Sequence, residues 1–285
     1  MQTLTQNTIS AQSTTYKRLG VIAGDGKLPE LLAKRAKEKG YDVISLAMSA
    51  EAKARLAPHS EQVYEIFPGQ IGRNLKLLRE NKCDSVVFCG KVPKLDMLKN
   101  VTKIDWVAIR ELSRLPDFKD DTIQRHIGDC MEIEGFKVLT QTEFLSHLYQ
   151  EVGVLTKKKP DAFQYADIDF GFKIAKESAR LEIGQTLVVY DRMVIAVEAA
   201  EGTDRTIQRG VAINKGPVTV IKVARPVQDQ RFDIPTVGMS TLQAMIASKP
   251  GGVLAIEAGQ ILMGIERAFM TFNNLGGNNL VNIRV

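Results

Sequence analysis

The chain has 285 residues, 44% of them hydrophobic, and a net charge of +5 at pH 7, which is enough apolar sequence for two packed domains. Its lysines and arginines form no dense stripes, so nucleic acid is a weak hypothesis for the partner, and an anionic small molecule fits the mild positive charge equally well. Three scattered cysteines, Cys83, Cys89 and Cys130, exclude a disulfide framework and indicate a reducing, cytoplasmic compartment.

Residues 1–16 are predicted to be a disordered polar tail. Their sequence, "MQTLTQNTISAQSTTY", lacks the apolar stretch of a signal peptide. No segment of the chain reaches the roughly 18 uninterrupted apolar residues that a membrane-spanning helix needs. Association with a membrane surface stays open, because it requires only a basic or apolar patch.

Residues 17–152 are predicted to form a Rossmann-like domain with a parallel sheet. The strand "LGVIA" runs into the loop "GDGKLP" and an amphipathic helix, which ends near Gly40 before the strand "YDVISLA". The helical stretch "IGRNLKLLRENKC" then leads into the apolar strand of "DSVVFCG". Because ligands bind beyond the carboxyl ends of such strands, we expect the loops at Gly24–Gly26 and Gly90–Pro93 to face one crevice. Two helices and the strand "FKVL" follow.

Residues 153–285 are predicted to form a C-terminal α/β domain with a mixed sheet, which begins at a lysine-rich linker. A helix is expected from about Asp167 to Leu181. The hairpin "TLVVYDRMVIAVEA", with Asp191 and Arg192 at its turn, comes next. The segments "VTVIKVA", "TLQAMIASK", "GGVLAIEA" and "GIERAFMTFNNLG" then alternate between strand and helix.

The loop "GDGKLP" is the first candidate site. Glycines let backbone amides approach a phosphate, and the following helix N-terminus adds partial positive charge. Gly24, Gly26, Gly90 and Lys91 are therefore candidate substrate-binding residues. The loop departs from the GxGxxG fingerprint, which disfavours an oxidoreductase with a nicotinamide cofactor. A plain tight turn explains the loop equally well.

Three acids follow the apolar run "MVIAV". Glu198, Glu201 and Asp204 lie within seven residues, and because close carboxylates repel one another, a cation or a basic cluster is expected nearby. Mg²⁺ is the expected cation, since it prefers oxygen ligands and is usually bound by carboxylates together with substrate phosphates. In the alternative interpretation, Thr203 or Asp204 caps the helix "RTIQRG" and the glutamates face solvent.

The segment "IKVARPVQDQRFDIPTVG" is the third candidate. Lys222 and Arg225 form a cation pair that can neutralise a diphosphate, and Asp233 can hold a metal or orient water. Alternatively, the two cations are exposed strand residues and Asp233 is a turn former before proline. The three histidines share no zinc spacing and are interpreted as structural residues: His59, His126 and His147.

Six motifs in this order and spacing closely resemble the LpxI type of UDP-2,3-diacylglucosamine pyrophosphatase: "GVIAGDGKLP", "VVFCGKV", "ADID", "RLEIGQ", "AVEAAEGTD" and "RFDIPTVG". The resemblance runs from about Lys17 to the C-terminal region. It implies a metal-dependent hydrolase of lipid A biosynthesis that uses Mg²⁺ and cleaves UDP-2,3-diacylglucosamine to UMP and 2,3-diacylglucosamine 1-phosphate, called lipid X. It also implies a Rossmann-like N-terminal domain and a C-terminal α/β domain, with the lipid held between them.

The resemblance also assigns roles to residues. Asp233 matches the aspartate of the "DxPT" motif, which is regarded as essential for hydrolysis, so it is our first candidate catalytic residue; Asp204 and Glu198 are the others. Basic side chains before Asp233 are consistent with charge stabilisation of an in-line phosphoryl transfer. The candidate metal ligands are Asp233, Glu198, Glu201 and Asp204, and the further candidate substrate-binding residues are Gly202, Thr203, Lys222, Arg225 and Thr236.

Other functions and partners stay open at this point. A non-catalytic carrier or sensor of an acylated nucleotide sugar is the alternative function, and metal-dependent UMP formation distinguishes the two. The expected partner is UDP-2,3-diacylglucosamine, with no nucleic acid. Peripheral contact with the inner membrane and a homodimer are further expectations.

Overall fold

The structure is a computed structural model that describes residues 17–92, 103–117, 120–226, 229–232, 234–246, 252–263 and 279–283. The described residues form a five-stranded parallel sheet, a six-stranded mixed sheet and a two-stranded sheet, with helices packed around them. This confirms the predicted α/β class, with a Rossmann-like sheet first and a mixed sheet second. The predicted tail, residues 1–16, lies outside the described residues.

The first sheet has the strand order β3-β2-β1-β4-β5, and all of its pairs are parallel. Its central strands are buried at nearly every position, as expected for strands covered on both faces. Val21 in β1 lies between Ser45 of β2 and Val87 of β4. The strands are β1 (Arg18–Ala23), β2 (Asp42–Ala47), β3 (Gln62–Glu65), β4 (Ser85–Cys89) and β5 (Lys137–Leu139).

The helices around this sheet follow the predicted pattern. Pro29 stands in the first turn of α1, and the apolar face of that helix buries Leu32, Ala33 and Ala36. Helix α2, capped by the side chain of Ser49, was not predicted. The described helices are α1 (Leu28–Glu38), α2 (Ala50–Leu56), α3 (Ile71–Glu80), α4 (Trp106–Leu112), α5 (Asp120–Ile133) and α6 (Thr142–Leu145).

The second sheet has the strand order β6-β13-β11-β9-β7-β8. Strands β9, β11 and β13 are parallel, whereas β7 runs antiparallel to both β8 and β9. The predicted helical segment at residues 264–276 lies outside the described residues. The strands are β6 (Gly153–Val154), β7 (Thr186–Tyr190), β8 (Met193–Val197), β9 (Thr219–Lys222), β11 (Val253–Glu257) and β13 (Asn279–Ile283).

Three described helices pack on the second sheet or beside it: α7 (Ala162–Arg180), α8 (Thr203–Asn214) and α9 (Met239–Ile246). Helix α7 begins five residues before the predicted start at Asp167. The reason is a capping box, in which the Asp161 carboxylate accepts from the Gln164 amide and the Gln164 side chain accepts from the Asp161 amide. The small third sheet pairs β10 (Thr236–Val237) with β12 (Leu262–Met263) in parallel.

The predicted hairpin is confirmed, and a buried aspartate of the "ADID" motif stabilises it. Asp191 and Arg192 at its turn both have left-handed φ angles, 50° and 54°, which match the twist of the flanking strands. Asp167 on α7 is 1% exposed. Its Oδ1 accepts from the Arg192 amide at 2.7 Å and its Oδ2 from the Thr219 hydroxyl at 3.2 Å. One carboxylate therefore ties α7 to the hairpin turn and to β9.

Replacing this carboxylate is expected to destabilise the fold. In Asp167→Ala the Arg192 amide and the Thr219 hydroxyl lose their acceptor, so we expect the free energy of unfolding to fall by about 1–3 kcal/mol. Asp169→Ala is the matched control, because Asp169 is exposed on the same helix and should change stability by less than about 0.5 kcal/mol. Urea unfolding followed by circular dichroism measures both. Equal stabilities of the two variants would contradict this role of Asp167.

Candidate active site

The two N-terminal glycine loops meet beyond the carboxyl ends of β1 and β4. Asp25 and Lys91 exchange backbone hydrogen bonds of 2.8 and 2.9 Å. Both glycines at this contact are required by close approach of the chain: a Cβ at Gly24 would lie 2.4 Å from the Lys91 carbonyl oxygen, and one at Gly90 would lie 2.8 Å from the Asp25 carbonyl oxygen. The structure thus brings together the two loops that the sequence placed at one edge.

This contact limits which amides of the glycine loops are free for a phosphate. The amide of Gly24 donates to the Cys89 carbonyl at 2.9 Å, and the amides of Asp25 and Lys91 serve the loop contact itself. The Asp25 carboxylate accepts from the Ser49 hydroxyl at 2.7 Å. Gly26, with φ of +109° and open space around it, stays the member of the loop best placed to approach a ligand.

Glu198, Thr203 and Lys222 form a hydrogen-bonded chain in the second half of the protein. The Thr203 hydroxyl donates to Glu198 Oε1 at 3.1 Å and accepts from Lys222 Nζ at 3.0 Å. Lys222 is 7% exposed, so the alternative of an exposed strand residue is wrong for it. Glu198 Oε2 is buried and has no hydrogen-bond partner. The Thr203 hydroxyl therefore links the carboxylate of half-buried Glu198 to the ammonium group of buried Lys222.

The backbone around Glu198 explains the "RLEIGQ" motif. The Glu198 amide donates to the Thr186 carbonyl at 2.9 Å. A Cβ at Gly184 would lie 2.1 Å from the Glu198 carbonyl oxygen, so only glycine permits this approach. Gly202, with φ of +83°, is the N-cap residue of α8, and no side chain caps that helix. The alternative in which Thr203 or Asp204 caps the helix is therefore wrong.

The other two acids of the "EAAEGTD" segment face different partners. Glu201 Oε1 accepts from Arg209 Nη2 at 2.5 Å and from the Thr206 hydroxyl at 3.3 Å. The Arg209 hydrogen bond holds the pKa of Glu201 below its usual value. Asp204 Oδ1 accepts from the Thr241 hydroxyl of α9 at 3.0 Å. Within the described part of the chain, the three acids do not form a group whose carboxylate oxygens all lie within 4.8 Å of one another.

Asp233 lies outside the described residues, but its chain neighbours are attached to the first sheet. The ring of Phe232 packs against that of Phe88 with centroids 4.9 Å apart, and Gln141 Nε2 donates to the Phe232 carbonyl at 2.9 Å. Ile234 belongs to the same buried cluster as residues of β1 and α1. The segment around the "DxPT" motif therefore crosses from the second half to the first.

Arg225 follows β9, and a half-buried ion pair fixes the backbone directly before it. Lys176 Nζ lies 2.9 Å from Glu257 Oε1 and 3.0 Å from the Ala224 carbonyl oxygen. The Ala224 amide in turn donates to Glu257 Oε2 at 2.8 Å. Sequence analysis missed this pair, although an acid directly after the buried strand "VLAI" was a signal for it. Thr236 uses its hydroxyl to donate to the Ile234 carbonyl at 3.0 Å.

A cluster of metal-ligating atoms lies between α4 and α5, away from the three acids. One ligand atom each of Glu111, His126 and Cys130 lies within 4.8 Å of the others. We interpreted His126 as structural and missed this cluster, although its spacing of four residues from Cys130 on a helix was a signal. Burial and the charge of Glu111 raise the pKa of Cys130 to about 11. The Glu111 carboxylate already accepts from Arg110 and Arg114, so positive charge opposes a divalent cation here.

Two solved structures show a distant resemblance to this chain. An ADP complex of purK, N5-carboxyaminoimidazole ribonucleotide synthetase, is 14% identical, with 69% of this chain and 45% of that chain covered and a TM-score of 0.27. An N5-carboxyaminoimidazole synthetase from Staphylococcus aureus is also 14% identical, with 61% of this chain and 38% of that chain covered and a TM-score of 0.25. Similarity at this level carries no argument about fold or function.

The family comparisons cover nearly the whole chain. Residues 18–148 match the LpxI N-terminal domain, and residues 151–277 match the LpxI C-terminal domain. A Caulobacter vibrioides protein named UDP-2,3-diacylglucosamine pyrophosphatase LpxI is 32% identical over 268 residues, which are 87% of this chain and 90% of that protein. The chain therefore belongs to the LpxI family.

Proposed function

We propose that the protein hydrolyses the diphosphate of UDP-2,3-diacylglucosamine to UMP and 2,3-diacylglucosamine 1-phosphate in lipid A biosynthesis. The observation that carries this proposal is the match of both LpxI domains together with 32% identity to a relative named as that pyrophosphatase. Because the relative is named as an enzyme, it supports hydrolysis over the alternative of a carrier or sensor. We also propose a cytoplasmic location and a homodimer.

The chain of Lys222, Thr203 and Glu198 supports a phosphate site in the second half. The electrostatic attraction between a buried ammonium group and a diphosphate is strong, because little water screens it. Thr203 holds Lys222 Nζ at 3.0 Å and thereby fixes the direction of the lysine side chain. We assign Lys222 and Arg225 to the negative charge of the diphosphate, and the glycine loops at Gly24–Gly26 and Gly90–Lys91 to the substrate groups facing the first sheet.

The donor atoms present fit a magnesium ion at Glu198 better than at the other acids. Glu198 Oε2 is buried without a hydrogen-bond partner, and carboxylate oxygen is a ligand that Mg²⁺ prefers. Glu201 is neutralised by Arg209, and Asp204 is held by Thr241. We therefore assign Glu198 as its ligand. When bound, Mg²⁺ neutralises charge on the phosphate oxygens.

Asp233 orients the attacking water in this proposal. The attack is directed at the phosphorus on the lipid-sugar side, so that UMP leaves and the water oxygen ends in lipid X. Phe232, the neighbour of Asp233 in the chain, is held by Phe88 and Gln141. A carboxylate that orients water is the general-base arrangement that hydrolysis requires.

Loss of the Asp233 carboxylate is expected to stop turnover while substrate still binds. In Asp233→Asn the water loses its orienting oxygen, so we expect kcat to fall by about 10²- to 10⁴-fold with KM nearly unchanged. Asp191→Asn is the matched control, because Asp191 is an exposed turn residue and asparagine tolerates its left-handed φ. UMP release measures both variants. Normal UMP release by Asp233→Asn would remove this residue from catalysis.

The dependence of activity on magnesium should differ between variants of Glu198 and of Glu201. Chelation with EDTA should abolish UMP release and added Mg²⁺ should restore it. In Glu198→Gln the magnesium concentration for half-maximal activity should rise by at least about tenfold, because a ligand is lost. In Glu201→Gln it should not change, since Glu201 is already paired with Arg209. An equal rise in both variants would contradict the assignment of Glu198.

The direction of attack is tested with isotopically labelled water. If water attacks the phosphorus on the lipid-sugar side, mass spectrometry should find the heavy oxygen in lipid X after one turnover. The leaving UMP should carry none, because its phosphate oxygens all come from the substrate. Label in UMP alone would reverse the assigned direction and leave the hydrolase proposal standing.

A further inference from the structure

An exposed apolar patch lies on helix α4. Trp106 is 77% exposed and Ile109 is 47% exposed, and their spacing of three residues places them on one face of the helix. We call these two residues the α4 patch. Trp106 is the only tryptophan in the sequence. A tryptophan left so largely in water is typical of a surface that contacts a partner or a membrane interface.

The α4 patch lies at the edge of the first sheet where ligands are expected. Asp105, the N-cap residue of α4, accepts from the amides of Gly72 and Arg73 at 2.8 and 3.3 Å. These amides belong to the first turn of α3, which follows the carboxyl end of β3. Because the five strands are parallel, the glycine loops after β1 and β4 lie at this same edge. The patch is thus near the entrance that the proposed function requires.

The charges that surround the α4 patch and face solvent are basic. Lys103 is exposed, and the side chains of Arg110 and Arg114 are 53% and 60% exposed. The nearby acids are less exposed: Asp105 and Asp117 are half-buried, with Asp105 accepting from backbone amides, and Glu111 is 6% exposed beneath the two arginines. This arrangement of a tryptophan with outward basic groups complements an anionic lipid surface.

We propose that the α4 patch binds an anionic lipid bilayer. The indole of Trp106 enters the boundary between headgroups and acyl chains, and Lys103, Arg110 and Arg114 contact the anionic headgroups. The proposal rests on the proposed function in one respect, that the substrate carries two acyl chains and therefore comes from a bilayer. Docking at this edge brings the bilayer close to the glycine loops, so that the lipid has a short path into the site.

The single tryptophan makes the proposal directly measurable on the full chain. Vesicles of phosphatidylglycerol mixed with phosphatidylcholine should shift the emission of Trp106 to shorter wavelength. Phosphatidylcholine brominated on its acyl chains should quench it. Both effects should weaken with added salt and with vesicles of phosphatidylcholine alone, because the basic groups then lose their partners.

A matched pair of variants tests the surface itself. Ile109→Asp should weaken vesicle binding in a sedimentation assay by at least about tenfold, because an apolar side chain is replaced by a charge. Ile213→Asp is the control, since Ile213 is 59% exposed on α8, away from the α4 patch in sequence and fold. It should leave vesicle binding unchanged.

Three results would overturn the proposal. Trp106 emission could be unaffected by phosphatidylglycerol vesicles, the two aspartate variants could lose vesicle binding equally, or emission could shift with protein concentration alone, which would assign the patch to a second copy of the chain. UMP release from detergent-dispersed UDP-2,3-diacylglucosamine tests the proposed function separately, and Ile109→Asp should retain it. Vesicle binding without any UMP release by the unaltered chain would reject the hydrolase and keep the membrane contact.

Discussion

The candidate site depends on one hydrogen-bonded chain, in which the Lys222 ammonium group donates to the Thr203 hydroxyl and that hydroxyl donates to the Glu198 carboxylate. A buried charge is tolerated only beside compensating polar or charged groups, so Lys222 on β9 and Glu198 after β8 must be held close together. Strand β7 lies between them and sets the spacing, because Thr186 pairs with Lys222 and receives the Glu198 amide. The pair is therefore a product of sheet register.

Close packing of the backbone allows this register. Gly184 leaves no room for a Cβ beside the Glu198 carbonyl, and Gly210 of α8 lies against Val188 of β7, where a Cβ would be 2.7 Å from a methyl carbon. The buried Asp167 fixes the other end of the hairpin. Two motifs that precede the acids, "ADID" and "RLEIGQ", thus each contain a residue with a structural role in this part of the fold.

Sequence analysis predicted the elements whose apolar pattern is strong. The buried parallel strands appear in the sequence as apolar runs. The hairpin was predicted from the turn residues between two such runs. Strand β3, whose sequence "QVYE" is half-exposed, has no such pattern and was missed. The proximity of Glu198 to Lys222 could not be predicted, since 24 positions separate them along the chain and only strand pairing joins them. The partner of Asp204, Thr241 of α9, is likewise distant along the chain, whereas Arg209, the partner of Glu201, lies only eight positions away.

The candidate site also includes segments that are attached to both sheets. Phe232 and Ile234, which flank Asp233, are held by Phe88, Gln141 and the first core, whereas Glu198 and Lys222 belong to the second sheet. In the proposed function, a diphosphate that touches both sets of residues joins the two halves of the protein. The water at Asp233 is then correctly placed only when the substrate is bound, because the bound diphosphate contacts residues of both halves. In this proposal a diphosphate that contacts both halves is hydrolysed, whereas a phosphate compound that contacts only one half is not.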